Sequence, residues 1–296
     1  MLFRSTGAAV LKLRPNTPDF PAASIEIPPE NKEVGGTLSF ALGELASLDE
    51  PRFAPEKGGT GLWNPLEFLT ANRTGLYFTE PYDARRKPVG FVYGIGGSPQ
   101  DWQWMFGNFP RKDHQLWFFH YPSGMRLDRV AQSLSNTLSV VARERGFTEC
   151  NIVAHSMGGL VCRAAILDLA TNHPQLRVAR FVSVSTPWGG HSAAEAGLRH
   201  LKKPVPSWRD VAADSAFLRG IYAAGWPAGM RHTLIYGHKT KRAPWMKGEN
   251  DGTVEVASET DPRAVKQAAK VIELPYEHVE ILSQTRTRDL ILQGLR

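Results

Sequence analysis

Cysteine is scarce in this sequence: there are two among 296 residues, Cys150 and Cys162. Two are too few for a disulfide framework or a cysteine-based zinc site. They read as small, buried, apolar residues and say nothing about redox compartment. Long hydrophobic runs are absent as well. No run approaches the roughly 18 apolar residues of a membrane-spanning helix. The stretch Ala8-Ala9-Val10-Leu11, between Arg4 and Lys12, is too short for a signal-peptide core. The expected compartment is therefore cytoplasmic by default, unless a signal was removed before this numbering begins. A basic tract is missing too. Lys+Arg number 35 against Asp+Glu 29, a net charge of +6 that is spread along the chain, which argues against a nucleic-acid binder. Repeats and low-complexity segments are also lacking. What remains is ordinary for a packed globular protein, with 42% hydrophobic and 22% charged residues, so disorder and coiled coil are excluded for the bulk. The length suits one large domain or two modest ones.

The pattern changes near residue 88. Before it, prolines (15, 18, 21, 28, 29, 51 and 55) and the pairs Gly35-Gly36 and Gly58-Gly59 predict irregular chain. Asn64-Pro65 resembles a helix start, and Leu76-Tyr77-Phe78 a short strand. Residues 1–88 thus read as an extension that packs on the main body. From Val89 onward, short apolar runs alternate with helical patterns. Strands are expected over 89–93, 116–120, 151–154, 180–185, 233–236 and 271–274, with helices over 129–145 and 158–170. This alternation predicts a mostly parallel sheet with helices on both faces, an α/β class whose sites lie at the carboxyl ends of the strands.

The strongest signal is Asn151-Ile152-Val153-Ala154-His155-Ser156-Met157-Gly158-Gly159-Leu160-Val161. A buried strand runs directly into a helix with Ser156 at the corner. So tight a turn leaves room only for small residues two before it (Ala154) and two after it (Gly158). The hydroxyl is held clear of the backbone, and the helix start behind it favours negative charge. Serine needs a base, and the base an orienting carboxylate. In such strand-turn-helix serine hydrolases the chain order is Ser, Asp or Glu, then His. Asp251, in Gly248-Glu249-Asn250-Asp251-Gly252-Thr253-Val254, is the expected acid, with Glu249 and Glu255 as the nearest substitutes. His278, just past the last strand, is the expected base; His155 is expected to support the turn instead. An oxyanion hole needs two converging backbone N–H groups. Met157 supplies one. The loop Tyr93-Gly94-Ile95-Gly96-Gly97-Ser98-Pro99 supplies the other, from Ile95, with Gly96 as the alternative. That loop has neither the spacing of a dinucleotide fingerprint nor the Lys-Ser/Thr pair of a P-loop.

Together these motifs resemble the α/β-hydrolase superfamily, in particular its bacterial lipase and esterase branch and the lipases related to GPI-inositol deacylases. The resemblance covers residues 88–296. It is carried by Val92 to Gly97, Ala154 to Gly159, Ser185-Thr186-Pro187-Trp188-Gly189-Gly190, Asp251 to Val254, and His278. Tyr93 stands where the branch usually has histidine. The resemblance implies an α/β-hydrolase fold with a catalytic domain over 89–296, a serine hydrolase acting on lipid or acyl esters, no cofactor and no metal. Gly96, Tyr93 and Trp188 are the expected substrate contacts. The segment 191–231, between the fourth and fifth strands, is the candidate lid; it holds Trp208, Phe217, Leu218, Tyr222 and Trp226, whose other reading is core packing. His238 to Arg242 reads as a solvated loop, with contact to anionic head groups as its alternative. Acyltransferase and thioesterase would use the same machinery, and a non-catalytic binding protein would keep only the fold. A peripheral membrane contact fits the reading; oligomeric state is not legible.

Overall fold

The computed structural model describes residues 10–17, 20–27, 36–238, 246 and 248–296, with side chains from residue 39 onward. In chain order the strands and helices are β1 (Val10–Thr17), β2 (Phe20–Ile27), β3 (Gly36–Leu45), α1 (Pro55–Trp63), α2 (Pro65–Ala71), β4 (Thr74–Phe78), β5 (Lys87–Val92), α3 (Gln103–Asn108), β6 (His114–His120), α4 (Leu127–Arg145), β7 (Glu149–His155) and α5 (Met157–Asn172). There follow β8 (Arg177–Val184), α6 (Ser192–His200), α7 (Pro206–Val211), α8 (Ala216–Ile221), β9 (Arg231–Gly237), α9 (Val256–Glu259), α10 (Pro262–Val265), β10 (Lys270–Leu274) and α11 (Thr285–Gly294). Residues 239–242 of the expected loop, and the N-terminal stretch through Ala9, lie outside the described residues. Among the described residues no helix is long and apolar enough to cross a membrane.

The strands form one sheet in the order β1-β2-β3-β4-β6-β5-β7-β8-β9-β10. From β6 to β10 every neighbouring pair is parallel, whereas β4 runs antiparallel to β6. Strands β5 to β9 are mostly buried because both faces are covered, with β6 buried at every position, whereas the edge strand β10 is largely exposed. Helix α4 buries Val130, Leu134, Leu138 and Val141, the stripe expected from its spacing, and Gly146 ends it at φ 76°. Helix α5 is buried almost all round, because the sheet, α4 and α8 all pack against it.

Residues 36–78 are not irregular chain. Strand β3 pairs with β4, and β4 pairs with β6, so this stretch extends the sheet. Phe53, Leu76, Tyr77 and Phe78 join the main hydrophobic core. Pro65 begins α2 as expected, but Pro55 also begins a helix instead of breaking one, and Pro51 begins a short 3-10 turn. At the first helical position proline has no N–H to lose and its φ is already correct.

Candidate active site

The turn between β7 and α5 sets the geometry. Ser156 has φ 54° and ψ −134°, a conformation that L-residues avoid and that costs on the order of 1–3 kcal/mol. The surroundings hold it there. Ser156 N–H donates to the Val184 carbonyl at 2.9 Å, and Gly159 N–H donates to the Ser156 carbonyl at 2.9 Å. Gly158 is required by a close approach: a Cβ there would lie 2.3 Å from the Tyr93 carbonyl oxygen. The sheet thus anchors the corner from β8, and the loop after β5 presses on it from the other side.

The Ser156 hydroxyl lies 2.9 Å from His278 Nε2. His278 Nδ1 lies 2.5 Å from Asp251 Oδ2. With the proton on Nδ1, the imidazole donates to the carboxylate and accepts from the serine. Asp251 Oδ1 accepts from the N–H groups of Thr253 at 2.9 Å and Val254 at 2.7 Å. Burial pushes the Asp251 carboxyl upward, but the His278 hydrogen bond and charge, with those two N–H groups, outweigh it and leave the acid below its usual range. His278 N–H donates to the Asp251 carbonyl at 2.9 Å, so the two loops are also tied through the backbone. Neither Glu249 nor Glu255 takes this place; Glu255 accepts from Ser192 Oγ at 2.6 Å instead.

His155 supports the base. Its ring is buried and its Nε2 lies 2.8 Å from the His278 carbonyl oxygen. Burial lowers its pKa to about 3, so the ring is neutral and Nε2–H is the donor. The loop after β5, the expected oxyanion loop, is held as firmly. Gly96 N–H donates to Ser123 Oγ at 2.9 Å, which commits it and favours Ile95 over Gly96 as the second donor beside Met157. Ser98 and Asp101 form a reciprocal cap on the turn that follows. Glycine is needed at 97, where a Cβ would lie 2.3 Å from Asp101 Oδ2.

Two expected substrate contacts are turned away from substrate. The Tyr93 ring is buried and stacks on Tyr121 with centroids 4.6 Å apart. Its hydroxyl donates to the Tyr121 carbonyl and accepts from Tyr121 N–H at 2.8 Å. The phenol braces the loop from behind, as an internal strut. Trp188 is fully buried against Phe181 and His232, so its ring is core. Three residues of the site region escaped sequence reading. Ser123 sits in a loop without a motif. Arg163, on α5, looks like a solvent-face cation, yet it is buried and stacks on Trp226 at 4.1 Å while donating to the Ile221 carbonyl at 2.7 Å. Glu259 looks like an ordinary surface acid of a short helix, yet it is buried beside Asp251. Among the described residues, Asp251, Glu259 and His278 are the only cluster with metal-ligand spacing. Asp251 and His278 are already hydrogen-bonded to each other, so the cluster reads as a proton-sharing group. A cavity of about 720 Å³ near Leu48, Glu80 and Arg111 is lined by none of these residues.

The comparisons with known proteins bear on the fold and on the class of activity. A family model described as "Putative serine esterase (DUF676)" matches residues 124–218, which include Ser156 and the helices α6 and α7. No curated protein matches the sequence. Among solved structures, the mature lipase BlEst2 of Bacillus licheniformis is similar with a TM-score of 0.57 and 16% identity, over 74% of this chain and 96% of the other. The phospholipase PlaB of Legionella pneumophila gives a TM-score of 0.56 and 14% identity, over 72% of this chain and 60% of the other. Lipase B of Aspergillus fumigatus gives 0.55 and 14%, over 74% and 55%. With strand order, elbow and neighbours in agreement, the chain has the α/β-hydrolase fold and carries a serine-esterase match across its nucleophile turn.

Proposed function

We propose that this serine hydrolase cleaves carboxylic esters of lipid or acyl type through Ser156, His278 and Asp251. The observation that carries the reading is the unbroken hydrogen-bonded chain from Ser156 through His278 to Asp251, set at a strained elbow. His278 takes the hydroxyl proton as Ser156 attacks the ester carbonyl. Asp251 orients the ring and balances its charge. The N–H groups of Met157 and Ile95 receive the oxyanion. His278 then gives the proton to the leaving alcohol, and water releases the acyl group by the same steps. In this reading residues 89–296 carry the catalytic machinery, 191–231 form its cap, and the described residues 36–78 complete the same sheet and core.

Ser156 is only 4% exposed and His278 6%, so the pair is shielded from bulk solvent. The surface beside the site suits an anionic lipid layer. Trp63 is 56% exposed, and its ring meets Trp208 of α7 at 5.5 Å. Leu66 and Leu201 are exposed nearby in sequence, and Arg199, Lys202 and Lys203 surround Leu201 with exposed cations. Helix α1 joins this patch to the oxyanion loop, since Gly58 packs against the Gly96 and Gly97 carbonyls. Exposed apolar side chains beside cations are what an anionic membrane surface attracts.

The test is hydrolysis of p-nitrophenyl esters from acetate to palmitate by wild type and Ser156→Ala. Turnover is expected only with Ser156, and with an optimum at the longer chains. Serine-independent turnover would remove the assignment; an optimum at acetate would remove the lipid part of it. Lys202→Glu with Lys203→Glu should weaken binding to phosphatidylglycerol-containing vesicles and leave soluble-ester turnover unchanged.

A further inference from the structure

Eight residues beyond Asp251, helix α9 brings a second acid into the same pocket. Glu259 is fully buried, and the ligand-type atoms of Asp251, Glu259 and His278 all lie within 4.8 Å of one another. The pocket offers Glu259 little. Gly237 N–H reaches Oε1 at a long 3.4 Å. Oε2 is buried without a well-formed hydrogen bond among the described residues, and the Ser185 hydroxyl beside it is a neutral donor that only partly offsets the burial. Asp251, by contrast, receives His278 Nδ1–H and two backbone N–H groups. The titratable groups around Glu259 are Asp251 from its loop, His278 beyond it, and Tyr236 from β9. Two carboxylates this close, sealed from water, cannot both carry charge at low cost. The donors favour Asp251 as the charged one. A proton between the Glu259 and Asp251 carboxyls relieves that repulsion.

We propose that Glu259 is held as a neutral carboxylic acid whose proton is shared with the Asp251 carboxylate, which makes it a positioning residue for the Asp251–His278 pair. The proposal rests on the reading of that pair as the acid and base of the reaction. Burial, then the Asp251 charge, raises the Glu259 carboxyl well above the ordinary carboxylate range. The neutral acid fixes the carboxylate's orientation from the side opposite the imidazole. It also draws off part of the negative charge that Asp251 would otherwise present to His278.

The protonation state can be read without turnover. In protein labelled with ¹³C at glutamate side-chain carboxyls, one resonance should keep the protonated shift at pH 7 and be missing in Glu259→Gln. A wild-type spectrum in which every glutamate carboxyl is ionised at pH 7 would overturn the proposal, whether or not the variant folds. The pH profile of kcat/KM on a soluble ester gives an independent sign. Glutamine replaces a neutral donor with a weaker one, so the acid limb should stay within about 0.3 pH unit of wild type or move upward. If Glu259 were charged, its removal would destabilise the imidazolium and move the limb downward; that result also overturns the proposal. If Asp251→Asn kept full activity, the reading of the pair would fail, while the carboxyl resonance would still report on Glu259 itself.

Discussion

Gly94 offers a sharp test of how tightly the loop after β5 is fitted to Ser156, the proposed nucleophile. A Cβ at this position would lie 2.6 Å from Ser156 Cβ, 3.1 Å from its Oγ and 3.4 Å from the His155 carbonyl oxygen. Non-bonded carbons rest about 3.5–4.0 Å apart, so one side must yield by about 1 Å. Ser156 cannot easily do so, because its backbone is tied to Val184 and Gly159 and backed by Gly158. The loop must move, and the Ile95 N–H moves with it. A displacement of about 1 Å in such a group costs on the order of 100-fold in rate, or about 2.7 kcal/mol of barrier. Overpacking costs the fold only about 1–3 kcal/mol, so Gly94→Ala should remain folded. The assay is kcat/KM on a soluble p-nitrophenyl ester together with Tm. Gly59→Ala is the control, since nothing lies within 4 Å of its added Cβ on helix α1. It should keep wild-type activity and gain about 0.5–1 kcal/mol of stability. Activity of Gly94→Ala within about threefold of wild type would refute the reasoning.

Acidification should destabilise the fold before the Asp251 carboxylate is reached. Burial holds His120, His155 and His232 at pKa values of about 3. The stability that these neutral rings contribute is full above about pH 6.5 and is lost as pH falls toward 3. Asp101, raised to about 6, and Glu259, raised further, act in the opposite sense. The balance is a net uptake of at least about one proton on unfolding, or about 1.4 kcal/mol per pH unit near pH 5.5. Urea unfolding at pH 6.5 and 5.5 should show the midpoint drop; an unchanged midpoint would count against neutral burial of these rings. Asp210 is the tie between α7 and the body: its buried carboxylate accepts from Arg126 Nε at 2.8 Å and from Leu127 N–H at 2.7 Å. Because Arg126 is half exposed, the main loss in Asp210→Ala is the cap on α4, about 1–2 kcal/mol. Faster hydrogen exchange over residues 205–215 should accompany it, and unaltered exchange there would show that the tie does not hold the cap.

The sequence by itself determined whatever is written within a short window of chain. The small residues around Ser156 announce a turn too tight for larger ones. The apolar spacing of α4 and the buried runs of β5 to β8 follow from local periodicity. The chain order of Ser156, Asp251 and His278 follows from the motifs alone. Only the tertiary structure decided what depends on residues distant in sequence. Ser123 claims the Gly96 N–H, and Tyr121 claims the Tyr93 phenol, because β5 and β6 are neighbours in the sheet. The proline-rich stretch enters that sheet through β3 and β4, since Pro51, Pro55 and Pro65 fall at helix starts between them. Glu259 has the local pattern of a surface acid and becomes a buried partner of Asp251 only when α9 folds against β9. Short-range sterics and periodicity are legible residue by residue. Burial and hydrogen-bond partnership belong to pairs of distant segments, and the register of the sheet is what brings those pairs together.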